Sequence, residues 1–429
     1  MGMKPPSLGL VAATLADLAS ASALIDQMQD HGWRVHILAA DLDARRLAAV
    51  RARLNGAGIG FTHLADRAPA RELRALDAAE PRCLRTSDRV RWALEELHRR
   101  HDFDLIAVPA VDALGFRTAQ ARRAGGAFSD AGIVVTPPPA RADAPETPDE
   151  MLLDYCERHT VAQADFVAVE GVRPGDCGWM LERVRSRAAA TMFARAVPRP
   201  LVTVVVQHRN QPDLLPLALR SLADQTYRNL EVHVIDGGSD APGVLQAFEQ
   251  QERQHPGFAF EQDPHTGGEA AHDRLLAETD GEYFLPLAAD VILRPAFVEH
   301  LVQALHRQPA CVGMVCYLLG FHHPADLVRE RYTRAARPIG GSFLFGDRWG
   351  AGAGLFRTSA LRAVGGLSAV ANSGREVGVL PEHLGYQLSP AAPDDTLLRR
   401  GLQALLRKLP LGAVTPPFLR RAAKRRRSW

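Results

Sequence analysis

Short apolar runs alternate with longer segments of helical period along most of this chain. Residues 8–13, 33–39, 59–63, 103–109 and 132–136 read as buried strands, because each is a short Val/Ile/Leu-rich or aromatic run closed by polar or turn-forming residues. Between them, residues 15–29, 43–54, 87–100 and 119–124 read as helices. Gly32 stops the first, and Ser87 is the expected N-cap of the third, with Trp92, Leu94 and Leu97 as its apolar contacts. Strands and helices in alternation predict a doubly wound parallel sheet. The stretch 136–148 holds five prolines and few apolar residues, so it is expected as a loop above that sheet rather than a domain boundary.

The pattern then restarts. Pro200-Leu-Val-Thr-Val-Val-Val-Gln-His-Arg-Asn210 and Leu230-Glu-Val-His-Val-Ile-Asp-Gly-Gly-Ser239 are two β-branched runs separated by a helix-length segment, the pattern of strand, crossover helix and parallel strand. Ligands of open α/β sheets sit beyond the carboxyl ends of such strands, so Gln207 to Asn210 and Asp236 to Ser239 mark one crevice. The Asp236-Gly-Gly-Ser segment also suits a plain strand-end turn, since glycine permits positive φ and Asp and Ser cap turns. Farther on, residues 281–287 form a central strand, 297–308 an amphipathic helix and 311–319 a buried strand.

A chain of 429 residues exceeds one usual core, and the restart divides it into residues 1–190, a basic linker at 191–200, a second domain at 201–393 and a tail at 394–429. A net charge of +2 argues against nucleic acid as a partner. The five cysteines show no Cys-x-x-Cys spacing, which points to a reducing cytosol and no zinc site; Cys311 and Cys316 read as small core residues. No signal pattern and no spanning apolar run is present, so a cytoplasmic location is expected. The tail carries apolar residues at 397, 398, 402, 405, 406 and 409 with arginines interleaved, then six Lys/Arg between 420 and 427. Such a basic amphipathic helix suits either an anionic membrane surface or packing on the second domain.

Two resemblances sharpen this outline. Ser87, Val90 and Trp92, the run His101 to Ile106, the strand at 132–136, Glu157-Arg158, Ala164 to Val167 and Trp179-Met-Leu together resemble the N-terminal half of a family-4 glycosyltransferase of GT-B fold. The likeness covers roughly residues 85–185. A glycine-rich first loop is missing, with Thr14-Leu-Ala-Asp in its place, and no second Rossmann domain of that type follows. This half is expected to be a scaffold or an acceptor-side domain.

The segment 200–239 is similar, nearly position by position, to the opening of family-2 glycosyltransferases of GT-A fold. That resemblance implies a nucleotide-diphospho-sugar donor, with His208 and Asn210 in the base-binding loop and Asp236 accepting hydrogen bonds from base or ribose, as an ionised acid can. Gly267 and Gly268 would open the helix that passes the donor. Ala288-Ala-Asp290 stands where the Asp-x-Asp metal motif belongs, so Asp290 is the remaining ligand for Mg²⁺ or Mn²⁺, held weakly because Ala288 and Val291 replace the neighbouring acids. His272-Asp273 replaces an Arg-Asn pair, which removes the bidentate fork from that position. The glycines at 350, 352 and 354 precede a strand rather than open a helix, unlike a dinucleotide loop. After Gly365-Gly-Leu367 the helix that carries the family's general base is deleted, which leaves Glu376 as the acid in that window.

The reading is therefore an α/β protein with two Rossmann-like domains, a GT-B-type N-terminal half followed by a GT-A mixed-sheet domain. Its leading function is an inverting glycosyltransferase acting on a glycan or lipid-linked acceptor, peripheral to the inner face of a membrane. The alternative is a catalytically degenerate relative that binds nucleotide or serves as a scaffold.

Overall fold

The computed structural model describes residues 5–12, 28–40, 59–66, 81–139, 147–168, 174–192, 199–263, 268–322, 326, 335–336, 353–370 and 373–388. Gly267 and the basic tail lie outside them, as do most of the expected helices at 15–29 and 43–54. The chain forms two compact units, Met1–Ala196 and Val197–Trp429.

The first unit is built on six strands, β1 (Ser7–Ala12), β2 (Arg34–Ala39), β3 (Gly60–His63), β4 (Leu105–Pro109), β5 (Gly132–Thr136) and β6 (Phe166–Val167), all parallel in the order β3-β2-β1-β4-β5-β6. Their apolar runs are nearly continuous because the sheet is buried on both faces. Leu8, Leu10 and Ala12 pack on one side with Ile37 and Leu181, whereas Val11, Leu38 and Ile106 pack on the other with Leu94 and Leu97. The helix Pro174–Met192 lies so close to β5 that a Cβ on Gly132 would come within 2.6 Å of Val184 Cγ2.

One expected boundary is corrected. The helix begins five residues before Ser87, spanning Arg82–His101, and Pro81 is its N-cap residue. Ser87 is buried inside it, where its hydroxyl accepts the Arg117 N–H at 2.9 Å and lies 3.4 Å from the Leu114 carbonyl oxygen. A serine in mid-helix carries the same local signature as a cap, and only the tertiary contact tells them apart.

The second unit is a mixed sheet. Strands β7 (Val202–His208), β8 (Leu230–Asp236), β9 (Ala259–Gln262), β10 (Tyr283–Ala288), β11 (Val291–Leu293), β12 (Gly313–Phe321), β13 (Ala335–Ala336), β14 (Gly354–Arg357) and β15 (Val377–Leu388) run in the order β11-β15-β12-β14-β10-β7-β8-β9, with β13 pairing β12. β10, β7, β8 and β9 are parallel, β14 is antiparallel to both β10 and β12, and β12 is parallel to β15. The carboxyl ends of β7, β8, β10, β12 and β15 thus share one edge of the sheet. Cys311 and Cys316 are buried in its core and form no disulfide, as expected of small core residues. Pro381 lies within β15 where the pairing to β12 slips, the kind of irregularity that tolerates a residue without an N–H. A one-turn helix, Leu367–Val370, occupies the place where a longer helix was expected to be deleted.

Among the described residues no helix is long and apolar enough to cross a membrane. The helix Gly268–Glu278 is closed from outside by Arg362, whose guanidinium donates to the carbonyls of Leu276 (2.8 Å), Ala277 (3.3 Å) and Thr279 (2.5 Å). These are carbonyls that a helix end leaves without partners. Arg362→Ala is expected to lower the stability of the second unit by about 2 kcal/mol, and Arg362→Lys to recover only part of that, because an ammonium lacks the planar fork. Urea denaturation of the two variants checks it; a loss below ~0.5 kcal/mol for the alanine variant would show that water replaces the guanidinium.

Candidate functional site

Register sets the site. β7 and β8 pair so that His208 stands beside Asp236, and β10 pairs with β7 so that Ala288 stands beside Gln207. The turn after β10 then carries Asp290 to the same edge.

Asp236 is 2% exposed. Its carboxylate accepts the Ser239 N–H at 3.2 and 3.3 Å and the Ser239 hydroxyl, closing a turn in which Gly238 takes φ +81°. Gly237 donates its N–H to the His208 carbonyl at 2.9 Å. The strand-end turn and the acid at the crevice are thus one structure: the same carboxylate shapes the turn and lies at the mouth of β8.

Asn210 is more heavily engaged. Its backbone sits at φ +53°, a region where asparagine is among the best tolerated non-glycine residues. The side-chain amide donates to Asp240 Oδ1 at 2.7 Å, and Oδ1 accepts the N–H groups of Asp240 and Ala241, both at 3.1 Å. The Asn210 N–H donates to Ser239 Oγ at 2.9 Å. The Asp240 carboxyl is held below its usual range by the Asn210 amide. Asn210 therefore ties the loop after β7 to the loop after β8, with its side-chain amide engaged between them.

His208 is 1% exposed and stacks on Phe248 at 6.1 Å between ring centroids. Burial pushes its pKa down, against the pull of Asp236, and neither ring nitrogen has a partner. It forms the floor under the crevice as a neutral, buried ring.

Asp290 is the acid at the end of β10. Burial raises its pKa, opposed by backbone hydrogen bonding and by a hydrogen bond from the Gln387 side chain, while Oδ1 is buried without a partner. Gln387 was not legible as a site residue: 97 residues separate it from Asp290, and only the antiparallel pairing of β11 with β15 brings Gln387 beside Val291. Ala288 and Val291 flank the acid, Val291 fully buried. No group of three His, Cys, Asp or Glu able to hold a metal occurs among the described residues. One buried carboxylate oxygen lacking a partner nevertheless fits a hard cation that completes its shell with water and phosphate oxygens.

Gly268 opens the helix Gly268–Glu278, as expected. On that helix His272 meets Phe284 edge-on at 6.3 Å between ring centroids. A guanidinium does exist one residue past His272-Asp273. Arg274 donates to Glu261 Oε1 at 2.7 Å and lies 3.8 Å from Asp263, so its charge is committed to the end of β9. One residue is about 100° of helix rotation, enough to aim it at that edge strand rather than at β10.

Glu376 is not part of this group. It directly precedes β15, its carbonyl accepts the Val312 N–H at 2.9 Å, and Val312 precedes β12, so Glu376 sits at the amino ends of those strands. Gln387, at the other end of β15, is about 35 Å away at the usual strand rise. The assignment of Glu376 as general base is therefore corrected: an acceptor hydroxyl at the carboxyl edge is out of its reach.

The model of the family described as "Glycosyl transferase family 2" matches residues 203–360. An uncharacterized glycosyltransferase of Haemophilus influenzae is 27% identical over 152 residues, 35% of this chain and 43% of that protein, so the match spans less than half of the relative's length. Among solved structures, the mannosyltransferase PcManGT of Pyrobaculum calidifontis, in complex with GDP-Man and Mn²⁺, is 19% identical with a TM-score of 0.36 over 52% of this chain and 71% of that one. TarS of S. aureus, in complex with UDP-GlcNAc, is 16% identical with a TM-score of 0.34 over 45% and 59%. These overlaps are too low to add to the fold described above. The family match spans β7 through β14, with the strand ends that hold His208, Asp236 and Asp290, and the second unit accordingly carries a family-2 glycosyltransferase domain of GT-A fold.

Proposed function

We propose that the second unit is an inverting glycosyltransferase that moves a sugar from a nucleotide-diphospho-sugar to a hydroxyl of a glycan or lipid-linked acceptor. The observation that carries this reading is the family match on the segment whose strand ends converge at Asp236 and Asp290. Asp236 offers the acceptor oxygens for base or ribose, and Asn210 holds the two loops in register around it. In transfer, the acceptor oxygen forms a bond to the anomeric carbon as the bond from that carbon to the phosphate oxygen breaks on the opposite face; the hydroxyl proton leaves to a base or to water, and the nucleoside diphosphate departs. Asp290 would hold a Mg²⁺ or Mn²⁺ ion, which when bound neutralises charge on the departing diphosphate. Gln387 keeps the Asp290 carboxyl oriented.

A second reading has its own support. With Glu376 at the far edge and Ala288 and Val291 in place of acids, the crevice suits binding without turnover, as in a nucleotide-binding or scaffolding subunit. Release of nucleoside diphosphate separates the two. The full chain is incubated with Mn²⁺ and a panel of uridine, guanosine and thymidine diphospho-sugars, with and without oligosaccharide acceptors. Turnover with one donor, lost in Asp236→Ala, supports the enzyme; nucleotide binding with no release from any donor supports the degenerate subunit.

A further inference from the structure

The helix Pro174–Met192 of the first unit turns an aromatic trough to solvent. A hollow of about 460 Å³ lies along it, lined among the described residues by Trp179, Glu182, Arg183 and Ser186. We propose that this hollow binds a carbohydrate chain, one sugar ring lying against Trp179 and its hydroxyl groups meeting Glu182, Arg183 and Ser186.

The first observation is a tryptophan that is held in place and yet exposed. Trp179 is 55% exposed, more than any other large apolar side chain among the described residues. Phe166 of the edge strand β6 meets its ring edge-on at 5.6 Å between centroids, and the Arg183 guanidinium lies over the ring at 5.5 Å from its centroid. An aromatic surface fixed before a ligand arrives loses little freedom on binding it. A sugar suits that surface, because the C–H groups on a pyranose face are weakly positive and the face of an indole is negative.

The second observation is the relief of the helix. Side chains four residues apart line up as ridges. Trp179 and Arg183 form one ridge, and Gly178, Glu182 and Ser186 form the next, so a tall row borders a low one. Gly178 is exposed, and a Cβ on it would meet no atom within 4 Å. Neither close packing nor a left-handed φ requires glycine there, although glycine weakens a helix interior relative to alanine. Its missing side chain keeps the floor of the trough open beside the indole.

The third observation is the chemistry of the lining. An acceptor, a donor and a hydroxyl follow the indole at three, four and seven residues, so they share its side of the helix. Sugars present the complement, an apolar ring face rimmed by hydroxyl groups that both donate and accept. A lipid surface calls for an apolar stripe at this spacing and a nucleic acid for a basic one; Glu182 and Ser186 interrupt both. Arg185, the other cation of this stretch, lies 3.7 Å from Asp104. The volume falls within the range of small-molecule sites, about 300–1,000 Å³.

The test titrates the full chain calorimetrically with maltohexaose, chitohexaose and mannohexaose, with sorbitol as a polyol that has hydroxyl groups but no ring face. At least one hexasaccharide should bind saturably, and sorbitol should not. Trp179→Ala is expected to weaken that binding at least ~10-fold, and Trp179→Phe to keep part of it. Gly178→Leu should weaken it too by filling the floor, and its melting temperature should not fall, since leucine favours a helix over glycine. Binding unchanged in Trp179→Ala overturns the proposal, as does no binding by any of the three oligosaccharides or equal binding of sorbitol. Sedimentation with phosphatidylglycerol vesicles in place of glycan binding, lost in Trp179→Ala, would assign the surface to lipid and overturn it as well. The site goes beyond the transferase reading, because binding here needs no turnover: a chain that binds glycan and releases no nucleotide keeps this site and loses only the transfer.

Discussion

Asp290→Asn is expected to lower sugar transfer by about 10²–10⁴-fold, the several kcal/mol that charge neutralisation at a leaving diphosphate supplies. The same change is expected to leave the second unit at least as stable at neutral pH. Burial raises the folded pKa of Asp290 above its ordinary value of 3.8, so the favourable contribution is complete below that value and is lost as pH rises through the folded pKa. At neutral pH the ionised acid is a cost to the fold that asparagine removes, while an amide of the same shape can still meet Gln387. Loss of activity with a gain in stability is the pattern of a residue kept for chemistry. Steady-state kinetics and thermal melts on one preparation check it. Activity within ~3-fold of the unaltered chain would remove Asp290 from the site.

Asp88→Ala is expected to destabilise the first unit by about 3–5 kcal/mol, the usual result of removing one partner of a buried ion pair. Asp88 is 1% exposed, Arg117 0% and Arg91 6%. Nε of Arg91 and Nε of Arg117 each lie 3.9 Å from the Asp88 carboxylate, and Arg117 also donates to Gln120 Oε1 at 2.8 Å. Removing the acid leaves Arg91 paired with Glu95 but takes from the fully buried Arg117, between the helices Arg82–His101 and Phe116–Ala124, the carboxylate that lies 3.9 Å from its Nε. Adding Arg117→Met to Asp88→Ala should recover more than half of the loss, because two buried apolar side chains need no compensation. Urea denaturation followed by the fluorescence of Trp33, Trp92 and Trp179 reports on this unit. A double variant no more stable than the single one would mean that Arg117 supports the fold by packing rather than through its charge.

Sequence and structure agree where the physics is local. β7 and β8 are legible because a parallel strand buried on both faces must be a short apolar run, and His208 and Asp236 are the polar residues that end such runs. The direction of chemistry follows as well, since parallel strands bring their carboxyl ends together. Long-range pairing was not legible. Nothing in the residues around Glu376 shows that β15 runs parallel to β12, the fact that carries this acid to the wrong edge; nothing around Gln387 shows that it returns beside Asp290. Asn210 illustrates a third limit. It stands in the loop after β7, where its amide is spent on Asp240 and Ala241, an engagement that depends on two loops 30 residues apart meeting.

The central claim is that the crevice at the ends of β7, β8 and β10 holds a nucleotide diphosphate. Calorimetric titration of the full chain with UDP, GDP and dTDP, with and without Mn²⁺, tests it directly when repeated on Asp236→Ala. One nucleotide should bind saturably, more tightly with Mn²⁺, and at least ~10-fold more weakly to the variant, as expected when a charged hydrogen-bond acceptor is removed. Binding of every nucleotide unchanged by Asp236→Ala, or no binding by any of them, would contradict the account.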